Sequence, residues 1–182
     1  MGEPKVVLVT GASGGVGLSA VQLARADGAR VLAVTSSEAK VQALHEAGAH
    51  EVIVSRGLDF ASEVRRRTGG EGVQVAIEIV GSATFAQTLK AMAVGGRVVV
   101  VGNLESGAVE LNPGLLIVKE LEILGAYATT REELDEALRL TQAGIVRPFV
   151  AEALPLAEAA RAHRISEAGH PGGRIVLTVR DP

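Results

Sequence analysis

Val6-Val-Leu-Val-Thr10 runs into Gly11-Ala-Ser-Gly-Gly-Val-Gly17 and then into Leu18-Ser-Ala-Val-Gln-Leu-Ala24. A β-branched run, a turn of small residues and an Ala/Leu-rich stretch read as strand, glycine turn and helix. A dinucleotide fingerprint requires this order. Small residues let the backbone approach a pyrophosphate, and the free N–H groups and positive end of the helix stabilise its charge. The strict G-x-G-x-x-G pattern has Ala12 at its first position, with Gly14 and Gly17 in place. On this reading Gly11, Ala12, Ser13, Gly14, Gly15, Val16 and Gly17 form a phosphate-binding turn, and Gly17 lets the helix pack close to the first strand.

Outward from this stretch, two kinds of segment alternate. Strand-like runs are Val6–Val9, Val31–Val34, Val52–Val54, Val73–Val80, Val98–Val101 and Leu121–Leu124. Between them, Gly15–Asp27, Glu38–Ala47, Asp59–Thr68, Ser82–Ala93 and Arg131–Ala143 predict helices. Continuous Val/Ile runs suit strands covered on both faces, and strict strand–helix alternation suits right-handed βαβ units. Gly28, Gly48, Gly69-Gly70 and Gly95-Gly96 each follow a predicted helix and read as its stop. Ser36 or Ser37, and Thr129 or Thr130, read as helix N-caps. Residues 102–114 read as a long loop, with a helical turn at Leu115–Val118. The tail then gives a strand over Phe149–Leu154, a helix over Leu156–Ala168 and a strand over Arg174–Val179, punctuated by Pro148, Pro155 and Pro171. The predicted fold is α/β: a doubly wound, mainly parallel six-stranded Rossmann sheet with helices on both faces, plus a C-terminal strand–helix–strand tail.

In open parallel sheets a ligand lies at the carboxyl ends of the strands. The second strand ends in Thr35-Ser36-Ser37, with Lys40 one turn on and Arg30 before the strand. Hydroxyls and a cation suit the 2′-phosphate of NADP, which a carboxylate at this place would repel. NADP is therefore the expected cofactor, ahead of NAD. The competing reading is that the serines only cap the following helix. The other strand ends are Val80-Gly81-Ser82, Val101-Gly102-Asn103 and Gly125-Ala126-Tyr127, each with a glycine where a cofactor would need backbone access. Glu78, inside the fourth strand, reads as a structural group paired in the sheet, with a ribose-side role as the alternative.

Composition narrows the classes. The 182 residues are 47 % hydrophobic and only 2 % aromatic, so the core is aliphatic and stacking platforms for single-stranded nucleic acid are lacking. The net charge of −3 argues against a nucleic-acid footprint. No cysteine is present, which removes disulfides, thiol catalysis and Cys-ligated zinc, and which fits a cytoplasmic protein. No apolar run reaches the ~18–20 residues that span a bilayer, and Met1 leads straight into a strand-like run without a signal peptide. His45, His50, His163 and His170 are scattered without ligand spacing and read as surface residues. No metal site is expected in this chain, and no catalytic acid, base or nucleophile stands out.

Several segments together resemble the medium-chain dehydrogenase/reductase family. They are the glycine turn, Leu44-His-Glu-Ala-Gly-Ala49, Leu89-Lys-Ala-Met-Ala-Val-Gly-Gly-Arg-Val-Val-Val-Val-Gly102, Lys119-Glu-Leu-Glu-Ile-Leu-Gly125, and the tail from Leu156 to Leu177. The resemblance covers essentially the whole chain in the right order. Asn103 and Asn112-Pro-Gly-Leu-Leu look most like the acryloyl-CoA-reductase branch. It implies the cofactor half of an oxidoreductase of the alcohol dehydrogenase, quinone reductase or enoyl reductase type. Ala12–Gly17 would hold the pyrophosphate, and Thr35, Ser36 and Lys40 would meet the adenosine ribose or its phosphate. Val80 and Gly81 would lie along the adenosine half; Val101, Gly102, Asn103, Ala126 and Tyr127 would reach the nicotinamide half. The resemblance also implies an N-terminal catalytic domain not included in residues 1–182, against which residues 145–182 would pack. It further implies a homodimer through the edge of the sixth strand. The chain is then an excised domain or a natural stand-alone remnant, inactive by itself.

Two rival readings remain. Thr10-Gly-Ala-Ser-Gly-Gly-Val-Gly17 also fits the short-chain dehydrogenase pattern, but the lone Tyr127 is followed by Ala-Thr-Thr-Arg131, without the Tyr-x-x-x-Lys pair that chemistry needs. A stand-alone nucleotide sensor or regulatory module is the non-enzymatic alternative.

Overall fold

The structure, a computed structural model, describes residues 5–55, 59–104, 107–169 and 172–179. His170 and Pro171 lie outside the described residues. In chain order the elements are β1 (Val6–Val9), α1 (Gly15–Ala26), β2 (Arg30–Thr35), α2 (Val41–Glu46), β3 (Glu51–Val54), α3 (Ala61–Arg67), β4 (Val73–Glu78) and α4 (Ser82–Ala91). They continue with β5 (Met92–Val100), α5 (Pro113–Lys119), β6 (Glu122–Gly125), α6 (Arg131–Gln142), β7 (Val150–Pro155), α7 (Ala159–Glu167) and β8 (Arg174–Thr178). Six strands form one sheet in the order β3-β2-β1-β4-β5-β6, every pair parallel. The strand order reverses direction at β1, which makes the carboxyl end of β1 the switch point of a doubly wound fold.

The continuous apolar runs explain the sheet. Successive side chains of a strand face opposite sides. Leu8, Leu32, Val34, Ala76 and Val98 enter a core completed by Phe60, Val64, Phe85 and Leu89. Val7, Val9, Val31 and Ala33 enter a second core with Leu18, Val21 and Leu44. Strands β1 and β2 are thus apolar on both faces because helices cover both. The tail forms a separate parallel pair, β7 with β8.

Three boundaries differ from expectation for physical reasons. The predicted 38–47 helix begins as a 3₁₀ turn at Glu38–Lys40 before α2. Helix α4 stops at Ala91, because Met92 already pairs with Val73. The ladder then breaks and resumes at Arg97 opposite Val75. Gly95, with φ +70°, therefore belongs to an irregularity within β5 and is not a helix stop. Gly28, Gly48 and Gly69 do stand in the left-handed region just past α1, α2 and α3. The fourth strand ends at Glu78, two residues short of Val80.

Candidate cofactor-binding site

The turn after β1 is tied down on both sides. The Thr10 N–H donates to the Ile77 carbonyl and the Ala12 N–H to the Val34 carbonyl, each at 3.1 Å. Gly11 has φ +55°, and a Cβ there would meet Val80 Cγ2 at 3.0 Å. Gly17 is required by packing: a Cβ would sit 2.5 Å from Ala12 Cα and from the Ala12 and Gly11 carbonyl oxygens. Gly14 is different. It is exposed, and a Cβ would meet only the Gly11 carbonyl oxygen at an ordinary 3.5 Å. Nothing among the described residues needs glycine at this position, so the open side of Gly14 is space for something else to approach.

Gly14 is also the N-cap of α1 and, having no side chain, gives no cap bond. The first N–H groups of a helix have no intrahelical partner. Those of Gly15, Val16 and Gly17 have no backbone acceptor among the described residues. They leave a positive, donor-rich helix end beside Gly14. The Arg174 side chain from β8 lies over the same end, with its Nε 2.6 Å from where a Gly15 Cβ would stand. Nothing around Arg174 in the sequence signals this, because the approach depends on how the tail folds back.

At the end of β2, Thr35 is only 3 % exposed. Its hydroxyl lies 3.1 Å from the Ser13 hydroxyl and accepts the Ser37 N–H at 3.2 Å. It joins the phosphate turn to the turn after β2. Ser36 is exposed, and Ser37 and Lys40 are half-buried. Ser37 occupies a cap position without giving a side-chain cap bond, so capping does not account for its hydroxyl. Arg30 sits at the opposite end of β2. Its guanidinium bonds Glu51 and donates to the Arg67 carbonyl at 2.9 Å. The expectation that Arg30 contributes charge beside the serines is therefore corrected.

The ends of β4 and β5 are organised by one residue. The Glu78 side chain is fully buried. Its Oε1 accepts from the Thr10 hydroxyl (2.9 Å), the Val80 N–H (3.0 Å), the Gly81 N–H (3.1 Å) and the Thr84 hydroxyl (2.6 Å). Its Oε2 accepts from the Thr88 hydroxyl at 2.5 Å. Its main-chain carbonyl accepts the Val101 and Gly102 N–H groups at 2.8 and 3.3 Å. The structural reading of Glu78 is the one the geometry supports. Gly81 is buried, whereas Val101 and Asn103 are exposed. A Cβ on Gly102 would lie 2.5 Å from the Ile79 carbonyl oxygen, so β4–β5 packing alone demands that glycine. Beyond β6, the Ala126 N–H donates to the Val100 carbonyl at 3.0 Å, while Tyr127 is 98 % exposed.

The carboxyl edge thus gathers the glycine turn, Thr35, Ser36, Ser37 and Lys40, and the β4 and β5 exits. Ala126 and Tyr127 stand at its far end, four strand spacings or roughly 19 Å from the end of β2. A cavity of about 1030 Å³ opens on the other flank of α1, lined by Gly15, Val16, Ile77, Val101, Phe149 and Arg174 among others. Among the described residues no three His, Asp or Glu side chains come together to hold a metal. His45, His50 and His163 are exposed. No described helix is long and apolar enough to cross a membrane.

The switch point, the uncapped helix and the buried acceptor at the strand ends define a Rossmann-type dinucleotide-binding domain. Residues 15–143 match the zinc-binding dehydrogenase family. The chain belongs to that family, the medium-chain dehydrogenases/reductases, whose nucleotide domain binds a nicotinamide cofactor. It is 40 % identical over 177 residues to the acryloyl-coenzyme A reductase of Metallosphaera sedula, covering 97 % of this chain and 51 % of that protein. It is 38 % identical over 179 residues to the quinone oxidoreductase of Rattus norvegicus, covering 94 % and 54 %. The crystal structure of AibC superposes with a TM-score of 0.92 at 75 % identity, covering 97 % of this chain and 49 % of that one. The chain spans about half the length of the curated relatives it matches. The family's zinc finds no fitting donor set among the described residues.

Proposed function

We propose that this chain binds NADP(H) and orients it for hydride transfer to a carbonyl or, preferentially, to an alkene conjugated to a carbonyl. The observation that carries the reading is the open Gly14 at the uncapped end of α1, where a Cβ would meet only the Gly11 carbonyl oxygen among the described residues. The free N–H groups of Gly15, Val16 and Gly17 receive the pyrophosphate, and Arg174 adds a cation to the same end. The Ser13 and Thr35 hydroxyls form a connected pair to which the Ser37 N–H donates, and exposed Ser36 with Lys40 meets the adenosine 2′-phosphate.

The sheet order supports moving Val80 and Gly81 away from the adenosine half. Val80 and Gly81 follow β4, on the opposite side of β1 from Thr35. A dinucleotide with its adenosine at Thr35 meets Val80 and Gly81 past the pyrophosphate, toward the nicotinamide. Their N–H groups are turned inward to Glu78, so contact there is by van der Waals packing or carbonyl oxygens. Val101, Gly102 and Asn103 follow, with Ala126 and Tyr127 at the outer limit.

When bound, the cofactor supplies the hydride; this chain binds it, orients it and shapes one side of the reaction space. The conjugated electrophile is favoured because acryloyl-CoA and quinones share it, and because residues 112–116 resemble the acryloyl-CoA reductase branch. The open outer edge of β6, carrying half-exposed Leu124, pairs with a second copy, and the tail β7–α7–β8 packs on a further catalytic domain of the longer protein.

Calorimetric titration with NADPH and NADH tests the reading. The expected result is binding of both, with NADPH at least about tenfold tighter. Tighter NADH overturns the 2′-phosphate assignment, and binding of neither overturns the whole proposal. Nucleotide-dependent capture of a partner, with no hydride transfer by the longer protein, would favour the sensor alternative.

A further inference from the structure

Glu78 presents a pattern that core stability alone does not require. It is a fully buried carboxylate, and among the described residues no Lys, Arg or His lies within ion-pair distance of it. Five donors converge on it from β1 (Thr10), the β4 exit (Val80, Gly81) and two turns of α4 (Thr84, Thr88). Its main-chain carbonyl holds the β5 exit through Val101 and Gly102. The side chain thus fixes the spacing of β1, the β4 exit and α4, while the bonds to β5 come from the main chain alone. An aliphatic residue would fill the same volume at lower desolvation cost. It could not fix the two N–H groups after β4.

We propose that Glu78 is a positioning residue of the cofactor cleft, its side chain setting the β4 exit against which the nicotinamide half lies. This rests on the NADP(H) reading above. Two consequences follow from geometry. First, the Val80, Gly81, Val101 and Gly102 N–H groups are withheld from the ligand, which leaves the α1 terminus as the free donor set facing the phosphates. Second, Glu78 acts on one half of the dinucleotide. The adenosine end, at Thr35 and Ser36, lies across β1 and is held by Ser13 and Ser37 instead.

The acceptor geometry is what matters. The change Glu78→Gln keeps the side-chain length, and the amide carbonyl oxygen still serves Val80 and Gly81. Thr88, which also donates to the Thr84 carbonyl at 3.2 Å, can turn to accept from the amide. The change Glu78→Asp withdraws the acceptor by one methylene and releases both N–H groups.

The test compares Glu78→Asp and Glu78→Gln by calorimetry with two ligands, NADPH and the adenosine-half fragment 2′,5′-ADP. Glu78→Asp is expected to weaken NADPH about tenfold and leave 2′,5′-ADP within about twofold, while Glu78→Gln stays within about threefold for both. Equal loss of both ligands in Glu78→Asp would show a merely structural role and overturn the proposal, as would unchanged NADPH affinity. If Glu78→Asp fails to fold, Thr84→Val and Thr88→Val each remove one donor at constant shape. Either should weaken NADPH about threefold with 2′,5′-ADP unchanged, and no effect from both overturns the proposal. Failure of the unmodified chain to bind either ligand would instead refute the NADP(H) reading itself.

Discussion

Helices α1 and α6 are each twelve residues long and solve the same terminal problem in opposite ways. Helix α6 satisfies its own N-terminus. Thr130 accepts the Glu133 N–H at 3.2 Å, and Glu133 returns a bond to the Thr130 N–H at 2.8 Å. Helix α1 begins at glycine with no side-chain cap. Packing is reversed as well: α1 buries Gly17, Leu18, Ala20, Val21 and Gln22, whereas α6 buries none of its residues. An isolated exposed helix must be held locally, by its cap and by pairs such as Arg139 with Glu136. A helix held by a core can leave its end unsatisfied, and that end becomes available to a ligand.

The comparison can be broken at several places. Leu18→Ala should cost about 3 kcal/mol in chemical denaturation, because Leu18 is fully enclosed in the second core. Leu138→Ala on the exposed α6 should change stability by less than about 0.5 kcal/mol. Similar losses at both positions would mean that α6 is covered after all. Removing the cap with Thr130→Ala should cost about 1 kcal/mol, read as lost helicity or earlier unfolding of the α6 segment.

A smaller effect concerns the far end of α1, where Arg25 Nη1 lies 2.7 Å from His50 Nε2 while His50 Nδ1 accepts the Val31 N–H at 2.9 Å. Burial, then the charges of Arg25 and Arg30, hold the His50 pKa below its usual 6.5. The unfolded chain takes up this proton more readily, so the contribution is complete above pH 6.5 and is lost as pH falls through the lower folded value. Thermal midpoints measured across that range should fall more in the parent than in His50→Gln. Equal slopes would contradict the assignment.

The sheet is legible in the sequence because two covered faces force continuous apolar runs, and Val6–Val9 and Val31–Val34 carry that pattern plainly. The phosphate turn is legible because glycine spacing is local. The misreadings fall on residues whose roles depend on distant partners. Gly95 follows a helix, yet it serves an irregularity in β5 that only the pairing of Met92 with Val73 reveals. Arg30 stands near the serines in sequence, but a strand separates them and Glu51 takes its charge. In the sequence Glu78 is one polar residue in a strand. Its donors Thr10, Thr84 and Thr88 converge only through the β1–β4 pairing and the first turns of α4. Arg174 reaches Gly15 only once the tail has folded back.

Gly14→Ala tests the central claim most directly, because among the described residues the added methyl meets only the Gly11 carbonyl oxygen, at 3.5 Å. At an N-cap the change should cost at most about 1 kcal/mol, or a few degrees in thermal midpoint. If the open side of Gly14 receives a pyrophosphate, NADPH affinity measured by calorimetry should fall by about tenfold or more while the fold persists. An unchanged NADPH affinity in the folded Gly14→Ala protein would contradict the account.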